Sequence, residues 1–302
     1  MNTDADTPVT SPDAMRATRP VYWSLRREVW ENRSIYMAPL IVAAVVLFAS
    51  AIGTIGLPGR MRGLAAIDPA KQGHVVTKPY ALAASAIVFT GFLVGIFYCL
   101  DALNSERRDR SILFWKSLPI SDRTTVLCKA AIPLIVLPLF SFAVALIIQW
   151  LLFLLSSAVL AGSGVNPAVM WTRLPLIKMS LVMLYGLTAH VLWFAPMYGW
   201  LLLVSAWARR AVLLWALLPF FAIGVVERVA FGTTYFGAML AYRFRGAMVE
   251  AFTVDAAKTH IDEFSQLSPI RFLTSAGLWL GLIFAAACLV AAVRLRRNRE
   301  PI

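Results

Sequence analysis

The sequence predicts an all-α polytopic membrane protein with six transmembrane helices. Three observations carry that expectation. Of the 302 residues, 60% are hydrophobic and 15% are charged, and the mean hydropathy is +0.73. A soluble domain of this length does not need so much apolar surface, whereas each helix that crosses a bilayer takes about 20 apolar residues. The apolar residues also gather in six runs, near 36–58, 80–100, 127–158, 176–206, 211–228 and 272–293. Backbone in lipid has no water to bond, so these runs are expected as helices. Lastly, Lys and Arg crowd into compact clusters at 107–110, 209–210 and 294–299. Positive charge collects on the cytoplasmic side of spans, which puts both termini in the cytoplasm.

Taken in order, residues 1–18 are polar and lack an apolar core, so they read as a disordered cytoplasmic tail and not as a cleavable signal. Residues 19–35 follow as an amphipathic helix. Trp23, Arg26, Arg27 and Trp30 recur at helical spacing there, with Tyr22 and Arg33 beside them. Trp and Arg together suit a helix lying in the headgroup layer of the bilayer. The segments 59–79 and 163–175 read as outer loops. Segment 229–271 is the longest outside; its aromatic and small residues suggest pieces that dip into the outer leaflet. Pro133 and Pro138 are expected to bend the third span, and Pro196 and Pro219 fall inside the fourth and fifth.

Several chemistries are excluded or disfavoured. The net charge of +12 is explained by the cytoplasmic edges of spans, so no nucleic-acid partner is inferred. No Gly-x4-Gly-Lys-Ser/Thr loop, His-Glu-x-x-His or Cys-x-x-Cys motif is present, so neither catalytic residues nor a metal site are expected. Cys99, Cys128 and Cys288 lie in or at the ends of apolar runs, at no pairing or zinc spacing. Met179 and Met183 read as packing residues. Four polar residues in or near spans are candidates for a pathway or gate: Gln149, His190, Glu227 and Arg228. Each has two readings. Gln149 and His190 serve as hydrogen-bonding groups between helices or as substrate or proton sites, and no acid near His190 in sequence favours the former. Glu227 and Arg228 are a functional ionisable pair or a helix end at the headgroups.

The most informative stretch is 101–129, DALNSERRDRSILFWKSLPISDRTTVLCK. A charged turn over 106–110 precedes an apolar patch, Ile112, Leu113, Phe114 and Trp115, then Lys116 and Leu118. Pro119 stops a short helix, and Ser121 with Asp122 starts the next. A short helix with apolar knobs and flanking charge suits a groove on a partner.

This pattern resembles the signature region of permease subunits of the type-two ABC exporter family. The matching positions are Glu106-Arg107 at the end of the second span, the short helix from Ile112 to Leu118, the Leu118-Pro119 step and Lys129 early in the third span. The helix over 19–35 is similar to the family's connecting helix, and Ala208-Arg209-Arg210-Ala211 to its short inner turn. The resemblance implies a permease of the bacterial inner membrane that does no catalysis itself; the aromatic outer segment and the apolar spans lean toward an amphipathic or hydrophobic cargo. It implies a coupling helix over 106–119 held by an ATPase, with Phe114, Trp115 and Leu118 as knobs. Glu106, Arg107, Arg108 and Asp109 would supply charged contacts and orient the turn. The partners implied are two copies of an ABC ATPase subunit, which would hold ATP and Mg, and a second, identical permease in the lipid bilayer. A self-sufficient secondary transporter or channel is the competing class, and it predicts inverted repeats and ionisable residues at mid-membrane.

Overall fold

The six apolar runs fold as helices because each can satisfy its backbone internally while presenting apolar side chains on every face. In the computed structural model, residues 20–64, 69–109, 121–164, 166, 168, 174–253 and 264–298 are described. Among these the regular structure is helical: α1 (Pro20–Glu31), α2 (Ser34–Gly53), α3 (Leu57–Leu64), α4 (Pro69–Asp101), α5 (Asn104–Arg108), α6 (Asp122–Ala131), α7 (Leu137–Gly162), α8 (Leu176–Trp207), α9 (Val212–Val226), α10 (Tyr235–Ala251), α11 (Pro269–Thr274) and α12 (Ala276–Asn298). Six stretches are long and apolar enough to cross a membrane: 34–63, 76–108, 122–162, 176–207, 212–231 and 276–298. The chain is therefore a polytopic, multi-pass membrane protein of all-α class. The expected tail over 1–18 and most of the expected coupling helix lie outside the described residues.

One segment differs from the sequence expectation and two gain detail. The presumed loop 59–79 is largely helical, as α3 and the first part of α4. Pro69 opens α4, where a missing N–H costs nothing, and Ala and Gln favour helix after it. The bend in the third span takes the form of a π turn, Ile132–Val136, with Pro133 at its start. Proline removes an N–H and crowds the preceding turn, and the wider turn absorbs both effects. Of segment 229–271, residues 229–253 and 264–271 are described. The segment holds α10, whose N-terminus is joined to α9 by a second π turn, Glu227–Phe231, and by Gly232 at φ 65°. Among the described residues, Phe252 and Leu267 form an isolated antiparallel bridge.

Packing ranks the spans. The fourth is the hub: 61% of its most apolar window is buried, against 6% for the fifth and 11% for the first. α8 lies along α12 with Gly199 against the backbone of Ala285, where a Cβ would sit 3.1 Å from the Ala285 oxygen. Small residues at such contacts let helix backbones close in where lipid gives no hydrophobic drive. One core cluster joins Tyr98, Trp193, Leu202 and Leu278; another joins Ile87, Ala145, Phe153 and Leu160 across α4 and α7. α10 seats Gly246 directly on the Trp193 ring, and Trp193 Nε1 donates to the Arg243 carbonyl at 2.7 Å. The short turn between α8 and α9 holds Ala211 in left-handed conformation, φ 50°.

Candidate functional site

The residues that belong together chemically meet where α1, the end of α4, the start of α6 and the end of α12 converge. Each reaches that place by helix periodicity. Ser121 caps α6, its Oγ accepting from the Thr124 N–H at 3.1 Å. From that start, Val126, Lys129 and Ala130 fall on one buried face, so the Lys129 ammonium is carried inward with its apolar neighbours. On α12, Cys288, Ala292 and Arg296 form one buried stripe at four-residue spacing. Ser24 and Glu28 do the same on α1.

Lys129 Nζ sits 2.9 and 3.0 Å from the two Glu28 carboxylate oxygens and 3.1 Å from Glu106 Oε1. Arg296 Nη1 pairs with Glu106 Oε2 at 2.8 Å, and its Nε donates to Asp122 Oδ1 at 3.0 Å. Arg27 Nη2 donates to Glu28 Oε1 at 2.8 Å and lies 3.5 Å from Glu106 Oε1. The Tyr98 hydroxyl donates to Glu28 Oε2 at 2.8 Å. Three carboxylates thus face three cations, with Glu28, Glu106, Lys129 and Arg296 all buried. Close pairing with opposite charge is the form in which buried ionised groups are tolerated. Burial alone would raise the Glu28 carboxyl. Lys129, Arg27 and Tyr98 outweigh that and hold it below the usual carboxylate range.

The linker beside this cluster is fastened as well. Ser205 Oγ accepts from the N–H groups of Leu103 and Asn104, at 3.1 and 3.0 Å. Arg107 Nη1 donates to the Ala206 carbonyl at 2.7 Å. The end of α4 and the start of α5 are therefore locked to the last turn of α8. In chemical terms the arrangement is a clasp. It joins five segments at one face of the bundle and offers no nucleophile–base pair. No group of three metal-ligating side chains occurs among the described residues.

This geometry revises several sequence expectations. Glu106 and Arg107 face inward and tie the protein to itself, so they are not available as outward docking charges. Arg108 and Asp109 are exposed and pair with each other at 3.3 Å. Ile112, Leu113, Phe114, Trp115, Lys116 and Leu118 lie outside the described residues. On α1, Trp23 and Trp30 are exposed with the Arg26 guanidinium over both rings, at 5.2 and 4.4 Å. Arg27 leaves that face and joins the clasp. The four gate candidates are not brought together. Gln149 is buried in α7, its Oε1 without a hydrogen-bond partner among the described residues. His190 lines a small cavity between α4, α7 and α8. Glu227 accepts from the Thr233 hydroxyl at 2.9 Å and from the N–H groups of Tyr235 and Phe236, at 2.5 and 2.9 Å. It caps α10, and Arg228 is exposed beside it. The pair reading fails because the free N–H groups at a helix start attract the carboxylate more directly than a neighbouring cation does.

Sequence reasoning missed Glu28, Tyr98, Ser205 and Arg296 as members of the cluster. Arg296 was hidden in a basic tail read only for topology. Its place on the Cys288–Ala292 stripe was the available signal. For Glu28 and Tyr98 no local pattern distinguishes a buried partner from a surface residue. No protein-family model, no curated protein and no solved structure matches this chain.

Proposed function

We propose that the chain is the permease subunit of an ATP-driven ABC exporter in the bacterial inner membrane, with both termini cytoplasmic. The observation that carries the reading is the clasp. Its anchor points, Glu106 and Lys129, flank the linker that contains the apolar patch over 112–118. A force applied to that linker would be passed at once to α1 and to the second, third, fourth and sixth spans. That is what an element driven by a separate ATPase requires, since gating works by rigid-body motion of packed helices. The resemblance of 106–129 to the exporter signature supports the same reading, as does the lack of a phosphate loop in the sequence. In this scheme two such permeases and two ATPase subunits assemble, and the cargo is amphipathic or hydrophobic.

The test is purification of the tagged chain from its native membrane in mild detergent. An ABC ATPase should co-purify and hydrolyse ATP, and the chain alone should not. Trp115→Asp should insert normally yet lose the ATPase. A Trp115→Asp protein that still co-purifies with its ATPase and transports normally would overturn the docking assignment, and ATP turnover by the chain alone would overturn the division of labour.

A further inference from the structure

A small cavity beside His190 is used by neither the clasp nor the proposed coupling. It has a volume of about 20 Å³ and is lined by Gly91, Pro133, Ser141, His190 and Tyr198, among others. The third span contributes Pro133 from its π turn and Ser141 from α7. The second span contributes Gly91 and the fourth His190 and Tyr198. His190 is held by aromatic contacts, edge-on to Phe92 at 4.9 Å and against Phe194 at 4.4 Å.

Two polar atoms here make no hydrogen bond within the described protein: His190 Nε2 and Ser141 Oγ. Ser141 is 1% exposed. Ser157 on α7 shares that lack of a partner, whereas other hydroxyls on these spans bond to the backbone of their own helix. Thr90, Ser180 and Thr188 each donate to the carbonyl four residues back, at 2.8 Å in every case. Gly91 has no side chain to offer, and any Cβ there would collide with Ser141 Oγ. An orphaned hydroxyl and an orphaned imidazole nitrogen in the hydrocarbon region are unfavourable, and such groups in folded proteins are satisfied by ordered water. A water needs about 10–15 Å³ of such volume and two to four polar partners. The cavity supplies room for one water.

We propose that this cavity is a binding site for a single water molecule, hydrogen-bonded to His190 Nε2 and Ser141 Oγ. The water joins the third span to the fourth beside the π turn. Such turns inside α-helices are frequent at functional sites. A bridging water holds two helices with about the strength of a direct bond while leaving its geometry adjustable. The inference stands apart from the exporter reading, because it concerns only how two spans of this chain are joined.

A density map of the whole protein at a resolution that shows buried waters tests it directly. A peak within hydrogen-bond distance of both atoms is expected; an empty cavity in such a map overturns the proposal. Thermal unfolding in detergent gives a second reading. If water bridges the two groups, Ser141→Ala lowers the midpoint by about 3 °C. In a His190→Phe background the same change then has little effect, because the bridge is already gone. If the cavity is dry, Ser141→Ala removes an unsatisfied hydroxyl and leaves the midpoint unchanged or raises it, which overturns the proposal.

Discussion

At the scale of single residues, the decisive fact is that Glu28 and Lys129 face each other at 2.9 and 3.0 Å in a place with almost no solvent. Coulomb attraction grows as the local dielectric falls, and so does the penalty for leaving either charge alone. Glu28→Gln should therefore cost roughly 3–5 kcal/mol, since it leaves Lys129 with less compensation. The carboxyl of Glu28 is held below its usual range in the folded protein, chiefly because Lys129 offsets its burial. The unfolded chain then takes up this proton at a higher pH than the folded chain. The stability Glu28 contributes is present in full above about pH 5 and is lost as pH falls through the usual carboxylate value of about 4.3 and below. Thermal midpoints of the wild-type protein should fall across that acid range. Those of Glu28→Gln should start lower and fall less steeply, and parallel curves would count against the assignment.

At the scale of elements, close helix approach matters more than side-chain interdigitation. α8 and α12 meet at Gly199, where the opposing atoms belong to the Ala285 backbone and cannot turn aside as a side chain would. Gly199→Val should force the two helices apart and cost about 1–3 kcal/mol, read as a lower unfolding midpoint in detergent. An unchanged midpoint would show that the helices slide freely at this contact. Element boundaries were also where local reading was weakest. Helix α4 begins at Pro69 rather than near 80, because proline at a helix start carries no backbone penalty. Helix α10 was hidden because its aromatic and Gly-rich composition lacks a long apolar run. What fixes it is tertiary: Glu227 caps its start and Trp193 receives its Gly246 face.

At the scale of the whole molecule, the clasp brings α1 and the end of α12 to one face of the bundle, with Asn166 following α7 toward the opposite end of the third span. With the positive clusters taken as cytoplasmic, an impermeant thiol reagent applied to intact cells should not reach Arg33→Cys or Arg297→Cys. It should label Asn166→Cys. The reverse labelling pattern would invert the proposed orientation. The three native cysteines are buried and free, so they should leave the background low. The spans differ in what surrounds them: the fourth is enclosed by protein, while the fifth presents Leu214, Leu217 and Phe221 outward. Outward apolar faces of this kind suit lipid tails and, in the proposed assembly, the second permease.

The sequence by itself determined the class. Apolar runs of bilayer length, helix-start chemistry at Ser121 and the charge clusters are local properties, because transfer free energy and backbone satisfaction depend on the residue and its near neighbours. It also singled out 101–129 and placed Glu106, Arg107 and Lys129 in one motif. Only the tertiary structure decided that those three charges point inward and that Glu28, Tyr98 and Arg296 complete them. Arg296 and its partner Asp122 are 174 positions apart. Whether a charge is solvated or buried against an opposite one depends on what folding brings within a few ångströms of it, and no local pattern encodes that distance.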